Sequence, residues 1–143
     1  MSFDVARRGV DMALGGSKDR RALLTFFGGE PLLQLPRMRQ IAAYARSEAS
    51  RRERQLRMVV VTNGTLLDDE AADFLVENAI YVGVSLDGCR APHDATPVFA
   101  DGRPTHDRVA RNVRAYLARA AGPRLRVRPS LHPPNLPRPP PPR

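Results

Sequence analysis

Apolar residues recur along the chain in two alternating rhythms, one typical of helices and one typical of buried strands. Helical spacing occurs in four segments: Phe3–Leu14, Leu35 to about Gln55, Asp68 to about Asn78, and a last one that begins at Thr105. Short apolar runs separate them at Leu23–Phe27, Leu56–Val61, Ile80–Leu86 and Leu125–Val127. Strands and helices alternate without a hairpin signal, which predicts an α/β fold with a parallel sheet and right-handed crossovers.

The expected helices each carry an apolar stripe, and polar residues mark their ends. Asp68 and Thr105 are suitable N-caps, and Gly15-Gly16 is a suitable stop for the first helix. We expect Arg51–Arg54 to be the solvated end of the second helix, where cations suit the helix dipole. The stripes consist of Ala6, Val10, Ala13, Leu14; Leu35, Met38, Ile41, Ala42, Ala45; Ala71, Phe74, Leu75; and Val109, Val113, Tyr116, Leu117.

Two stretches do not follow this alternation. The connection Cys89–Pro104 is long and irregular, and such loops are usually functional or disordered. Residues 129–143 contain eight prolines in fifteen positions, which excludes a helix or a central strand. A polyproline ligand for a partner is an alternative, but we expect a disordered tail after an α/β core at residues 1–128.

The net charge of +8 comes almost wholly from arginine, since Lys18 is the only lysine. This excess fits either a nucleic-acid or phosphate partner or arginines that coat solvated helix faces. We favour the second explanation and do not expect nucleic acid as a partner. No apolar run is long enough to span a membrane and no signal segment opens the chain, so we expect a cytoplasmic protein without membrane contact. The single cysteine, Cys89, excludes an internal disulfide and an all-cysteine metal cage built from this chain alone.

Each of the first three strands ends in small or polar residues: Gly28–Pro31, Thr62–Gly64 and Ser85–Gly88. In a parallel sheet these ends lie side by side at one edge, where α/β folds bind ligands. Their carboxylate, amide, hydroxyl and backbone groups suit a polar molecule with an ammonium, a carboxylate and sugar hydroxyls. The alternatives are that Glu30 only stabilises a helix N-terminus and that Asn63 and Ser85 only form turns.

The motifs FFGGEPLL, VVVTNGTLLDDE, VSLDG with His93-Asp94, and DGRPTHDRV resemble the radical S-adenosylmethionine (SAM) superfamily. Within it they are most similar to the SPASM-type branch, which includes anaerobic sulfatase-maturing enzymes and peptide maturases. The resemblance covers about Phe3 to Arg128 and implies a partial (βα)₆ barrel. It also implies chemistry in which a [4Fe–4S] cluster cleaves SAM to a 5′-deoxyadenosyl radical that modifies a protein or peptide substrate.

The resemblance assigns SAM-binding positions to the three strand ends. The first motif is the one whose backbone holds the SAM amino group, the second lies beneath the methionyl and ribose part, and the third contacts SAM and completes a turn. The residues at these positions are Gly28, Gly29, Glu30 and Pro31; Asn63; and Ser85 and Asp87. No catalytic or metal-binding residue is assigned.

Two departures from the family pattern change what is expected of the chain. The CxxxCxxC loop that supplies three cluster thiolates is absent, and Cys89 lies beyond the third strand, where it cannot replace that loop. Pro97 stands where relatives carry an arginine, twelve residues after Ser85. We therefore expect an internal fragment of a radical SAM core that is inactive alone.

A non-catalytic module that binds a partner protein or nucleic acid through its arginines is the alternative function. The remaining chemistry-bearing side chains receive structural interpretations. We expect Cys89 to be an unpaired loop thiol, His93 and Asp94 to fix their loop locally, and His106 to be solvated in the first turn of a helix.

Overall fold

A computed structural model describes residues 1–16, 20–87, 90–94, 102–119 and 125–129. The helices are α1 (Phe3–Gly15), α2 (Leu35–Arg51), α3 (Asp69–Glu77), α4 (Arg90–Asp94) and α5 (His106–Arg119). The strands are β1 (Arg21–Phe26), β2 (Gln55–Thr62), β3 (Tyr81–Ser85) and β4 (Leu125–Arg128). A short 3₁₀ helix, Pro31–Gln34, leads directly into α2. The Pro-rich tail lies outside the described residues from 130 onwards, so its expected disorder stays a prediction.

The sheet is wholly parallel, and its strands lie in chain order, β1-β2-β3-β4. Successive right-handed crossovers that all advance in one direction place their helices on the same face of the sheet. A doubly wound sheet would instead reverse its strand order and carry helices on both faces. The prediction of an α/β fold that forms part of a parallel barrel is therefore confirmed.

Alternation along the strands separates a helix-covered face from an open face. The covered face is buried at Phe26, Met58, Val60, Val82 and Val84. On the open face Leu23 is 60% exposed and Tyr81 is 38% exposed. The expectation of a continuously buried Leu23–Phe27 run is therefore wrong, because helices cover only one side of β1 and Phe27 lies beyond its end.

The apolar stripes of the helices are confirmed except at their margins. Ala13 and Leu117 are exposed, although the sequence pattern placed them on buried faces. The buried residues of α1 are Ala6, Val10 and Leu14, which recur every fourth position and form a narrower stripe. Helix spacing alone therefore identified the right face but overestimated its width.

An ion-pair network joins α1 to the end of α2. The Arg52 guanidinium lies 2.8 Å from Asp11 Oδ1 and 3.0 Å from Glu48 Oε2. The Tyr44 hydroxyl donates to the same Asp11 carboxylate at 3.0 Å. The second helix ends at Arg51, before the expected Gln55, because Arg52 caps it and Glu53 has a φ of 53°. Part of the Arg51–Arg54 run is thus an anchor between helices rather than a solvated end.

The connections at the carboxyl edge of the sheet are tightly built. Asp68 caps α3, as predicted, by accepting a hydrogen bond from the Ala71 N–H at 3.0 Å. Gly64 has a φ of 77°, and a Cβ at this position would lie 2.9 Å from a methyl carbon of Val109. Glycine is therefore required there by both conformation and space. The expected irregular loop Cys89–Pro104 contains the short helix α4.

Candidate functional site at the carboxyl edge of the sheet

The Glu30 carboxylate joins the end of β1 to the end of β2. Its Oε1 accepts hydrogen bonds from the Thr62 hydroxyl at 2.7 Å and from the Leu32 N–H at 3.0 Å. Its Oε2 accepts from the Asn63 N–H at 2.8 Å. Glu30 also occupies the N-cap position of the 3₁₀ helix, with Pro31 in the first turn. The side chain therefore bridges two strand ends and a helix start, which is more than the helix-terminal role that the sequence suggested.

Gly28 and Gly29 present bare backbone at this edge. Gly28 has a φ of 133°, a region that favours glycine. A Cβ at either glycine would meet no described atom within 4 Å. Packing within the described chain therefore gives no reason for glycine at position 29. Open backbone of this kind allows a ligand to approach the peptide groups directly.

Asn63 and Ser85 lie at the same level on neighbouring strands. Thr62 pairs with Val84 in the sheet, and Asn63 and Ser85 are the residues that follow this pair. The Asn63 Oδ1 atom accepts from the Thr65 N–H and hydroxyl, at 2.9 and 2.7 Å, and so forms the turn. No described residue accepts from the Asn63 amide nitrogen or bonds to the half-buried Ser85 hydroxyl. These two polar groups are available to a ligand.

Asp87 bonds through its backbone N–H to the buried His93. The Asp87 N–H donates to His93 Nδ1 at 3.2 Å, and His93 Nε2 lies 3.0 Å from the Thr105 hydroxyl. The Nδ1 atom must accept in this arrangement, so the ring proton lies on Nε2. Burial lowers the pKa of His93, although the carboxylates of Asp87 and Asp94 oppose this effect.

Asp94 completes this group by holding the start of α5. Its Oδ1 accepts from the Thr105 and His106 N–H groups at 3.0 and 2.9 Å. The expected local role of His93 and Asp94 is therefore confirmed. The expected solvation of His106 is wrong, since only 19% of its side chain is exposed and its ring lies edge-on to His93.

The sequence-based predictions gave no supporting role to Thr62, Arg108 or Asn112, whose hydrogen bonds hold this edge of the sheet in place. Thr62 is 2% exposed, and its hydroxyl accepts from the Gly64 N–H at 3.0 Å while it donates to Glu30. The Asn112 amide and the Arg108 guanidinium, both on α5, donate to the Thr65 carbonyl. A polar residue ending an apolar strand is a usable signal for Thr62. Asn112 offered none, because its partner lies 47 residues away in the chain.

The structure brings only part of the expected site together. Glu30 and Asn63 are in contact, Ser85 lies beside them in register, and Asp87 belongs to the His93 group. A groove of about 690 Å³ adjoins Gly28–Pro31 on the outer side of β1, between α1 and α2, and neither Asn63 nor Ser85 lines it. Gly88, Cys89 and Pro97 lie outside the described residues.

The described part of the chain has no cluster of three or more His, Cys, Asp or Glu side chains arranged for a metal ion. Among the described helices, none combines the length and the apolar character that crossing a bilayer demands.

Comparison with known families identifies the class of protein. Residues 1–122 match the family model of the Radical SAM superfamily. This match covers most of the 143-residue chain, and the parallel sheet in chain order agrees with it. The chain belongs to the radical SAM superfamily.

Individual relatives confirm the resemblance to sulfatase-maturing enzymes. Over 117 residues the chain is 31% identical to the serine-type anaerobic sulfatase-maturating enzyme of Bacteroides thetaiotaomicron, a match that covers 79% of this chain and 27% of that protein. Over 87 residues it is 45% identical to the Fe-coproporphyrin III synthase of Methanosarcina barkeri, covering 59% of this chain and 18% of that protein.

A solved structure also resembles the fold of this chain. Native anSMEcpe with bound AdoMet and the Cp18Cys peptide superposes with a TM-score of 0.79 at 26% identity, over 89% of this chain and 34% of that one. The chain therefore spans about a third or less of the length of these relatives.

We predict that Glu30→Gln destabilises the fold by about 1–3 kcal/mol. Three donors converge on the carboxylate, and a glutamine would direct its own N–H groups at one of them. Urea unfolding followed by circular dichroism measures the change. Glu77→Gln, on the exposed end of α3, is the matched control and should stay within about 0.5 kcal/mol of the parent chain. Equal stability of the Glu30→Gln chain would contradict the bridging role.

We predict a loss of stability on mild acidification that depends on His93. Its pKa is lower in the folded chain than in the unfolded chain, so the unfolded state takes up the proton first as the pH falls. The contribution of neutral His93 to the free energy of unfolding is complete above the ordinary histidine pKa of about 6.5. Below that pH the free energy of unfolding declines, by at most about 1.4 kcal/mol per pH unit.

Unfolding free energies measured from pH 7.5 down to 5.5 test this dependence. His93→Gln should flatten the decline. The pKa of Glu48 is lowered by its hydrogen bond to Arg51, so that group acts only in more acidic solution. An unchanged slope in the His93→Gln chain would show that another group is responsible.

Proposed function

We propose that the carboxyl edge of this sheet binds S-adenosylmethionine, as part of a radical SAM core that modifies a peptide or protein. The observation that carries the proposal is the open backbone at Gly29 beside the unused polar groups of Asn63 and Ser85, all at one sheet edge. The named relatives support it, since one is a sulfatase-maturating enzyme and another binds AdoMet together with a peptide.

The residues at this edge match the polar groups of the cofactor. Backbone carbonyls near Gly28 and Gly29 can accept from the ammonium group, without interference from a Cβ. The Asn63 amide nitrogen and the Ser85 hydroxyl can donate to the carboxylate or to ribose oxygens. In this proposal Glu30 and Pro31 fix the shape of the loop rather than carry the ligand, because protein donors already occupy the carboxylate. Asp87 completes the third turn.

An iron–sulfur cluster and S-adenosylmethionine would together supply the radical chemistry, and the protein would position the reactants. This chain's own residues do not fit the cluster. A [4Fe–4S] cluster is held by cysteine thiolates, and the chain contains one cysteine. The thiolates must therefore come from outside these 143 residues, and we propose that residues 1–143 alone are inactive. Within them we assign residues 1–128 to the core and 129–143 to the tail.

We predict weak but specific binding of S-adenosylmethionine by the chain. Asn63→Asp keeps the Oδ1 acceptor of the turn, replaces the amide donors by an acceptor and adds a negative charge that repels the ligand carboxylate, so it should reduce affinity. Ser85→Ala should act in the same direction, and each change should cost roughly three- to tenfold. Ser47→Ala, on the exposed surface of α2, is the control. Ligand-observed NMR measures the affinities, and equal binding by all four chains would contradict the assignment.

We also predict that anaerobic reconstitution leaves the chain without a cluster. Incubation with iron and sulfide, followed by gel filtration and iron and sulfide assays, should give far less than one iron per chain. The same treatment of the chain mixed with a peptide that contains CxxxCxxC provides the positive control for cluster assembly. Several irons bound per chain without that peptide would overturn the prediction.

A further inference from the structure

Several arginines on or beside the helices pair with acidic residues of neighbouring helices. Ion pairs of 2.7–3.3 Å join α2, α3, α4 and α5 to one another or to α1. The pairs are Arg39–Glu70, Arg52–Asp11, Arg90–Asp107 and Arg119–Asp69. The sequence-based interpretation of arginines that coat helix surfaces therefore holds for this side of the molecule.

The open face of the sheet differs. Register pairs Arg126 with Gly83 and Arg128 with Ser85, so both arginines lie on the face opposite the helices. Arg57 lies on the same face, with its guanidinium carbon 5.1 Å from the centre of the Tyr81 ring. Within the described part of the chain, none of these three guanidinium groups contacts a carboxylate.

Gly83 positions one of these arginines across the sheet. A Cβ on Gly83 would lie 3.5 Å from Arg128 Cδ and 3.8 Å from a methyl carbon of Val61. The Arg128 stem therefore packs over the bare backbone of β3, diagonally from its register partner Ser85. This packing holds the cation over the open face and close to the third strand end.

Like charges gathered on one face repel each other unless an anion joins them. The described strand residues of this face include Arg57, Arg126 and Arg128 but no acidic residue. A guanidinium group binds a carboxylate through two parallel hydrogen bonds, which makes carboxylates suitable partners. The charge of this face is thus complementary to an acidic ligand.

We propose that the open face binds an acidic peptide segment, with two carboxylates paired to Arg126 and Arg128. Residues two apart on an extended chain lie about 6.6 Å from each other on one side. An extended peptide with acidic residues at alternate positions therefore presents two carboxylates on one side, towards the face that carries these two arginines. Arg57 occupies one face of the Tyr81 ring, which leaves less of this ring for base stacking and favours a peptide over a nucleic acid.

The inference rests on the proposed function, because it names the chemical class of the peptide substrate. The test uses the full chain in the absence of S-adenosylmethionine, so its outcome is separate from that of cofactor binding. Fluorescence anisotropy compares a labelled peptide centred on Glu-Ser-Glu with its Gln-Ser-Gln counterpart. The acidic peptide should bind about tenfold more tightly at low salt, and the preference should shrink at about 0.15 M salt.

Charge-matched variants separate this face from the overall charge of the chain. Arg126→Gln combined with Arg128→Gln should lower affinity for the acidic peptide about tenfold. The control combines Arg111→Gln with Arg114→Gln, removes the same charge from exposed positions on α5, and should cost less than about threefold. If the first double variant fails to fold by circular dichroism, Arg128→Gln alone should still lose about threefold.

Three outcomes would overturn the proposal. One is equal loss in the two double variants, or no loss in a folded Arg128→Gln chain, because the effect would then not belong to this face. Another is equal affinity for the acidic and neutral peptides. The last is displacement of the acidic peptide by a single-stranded RNA oligonucleotide that binds more tightly, which would make the face a nucleic-acid site.

Discussion

The hydrogen bonds of the Glu30 carboxylate determine the geometry of the first two strand ends at the carboxyl edge. This side chain bonds to Thr62, to the Asn63 N–H and to the Leu32 N–H, and so holds the end of β1, the end of β2 and the start of the next helix together. With the glutamate fixed, the preceding glycines are presented to solvent with open backbone. A carboxylate inside the loop thus keeps its ligand-facing side free of side chains.

The third strand end is held by a separate group of residues. The buried ring of His93 bonds to the Asp87 N–H and to Thr105, while Asp94 caps the start of α5. Helix α5 in turn donates from Asn112 and Arg108 to the loop that follows β2. The second and third strand ends are therefore tied to the same helix, which fixes their relative position at the site edge.

Charge divides the molecule into two sides. On the helix side arginines and acidic residues form pairs, and the Arg52–Asp11–Glu48 group also fastens α1 to α2. On the open side of the sheet Arg57, Arg126 and Arg128 have no carboxylate partner among the described residues. Arg57, Arg126 and Arg128 thus lie together on the face that adjoins the candidate cofactor edge.

The sequence by itself determined the α/β class, the order of the elements and the three strand ends, because apolar periodicity and glycine turns are local signals. The sequence pattern placed the end of the second helix too late. That helix ends at Arg51, and Arg52 pairs with Asp11, a residue distant in the chain. Only the tertiary structure decided that Glu30 bridges two strands and that His93 is a buried support. Those roles depend on hydrogen-bond partners far apart in sequence, and no local pattern encodes such pairings.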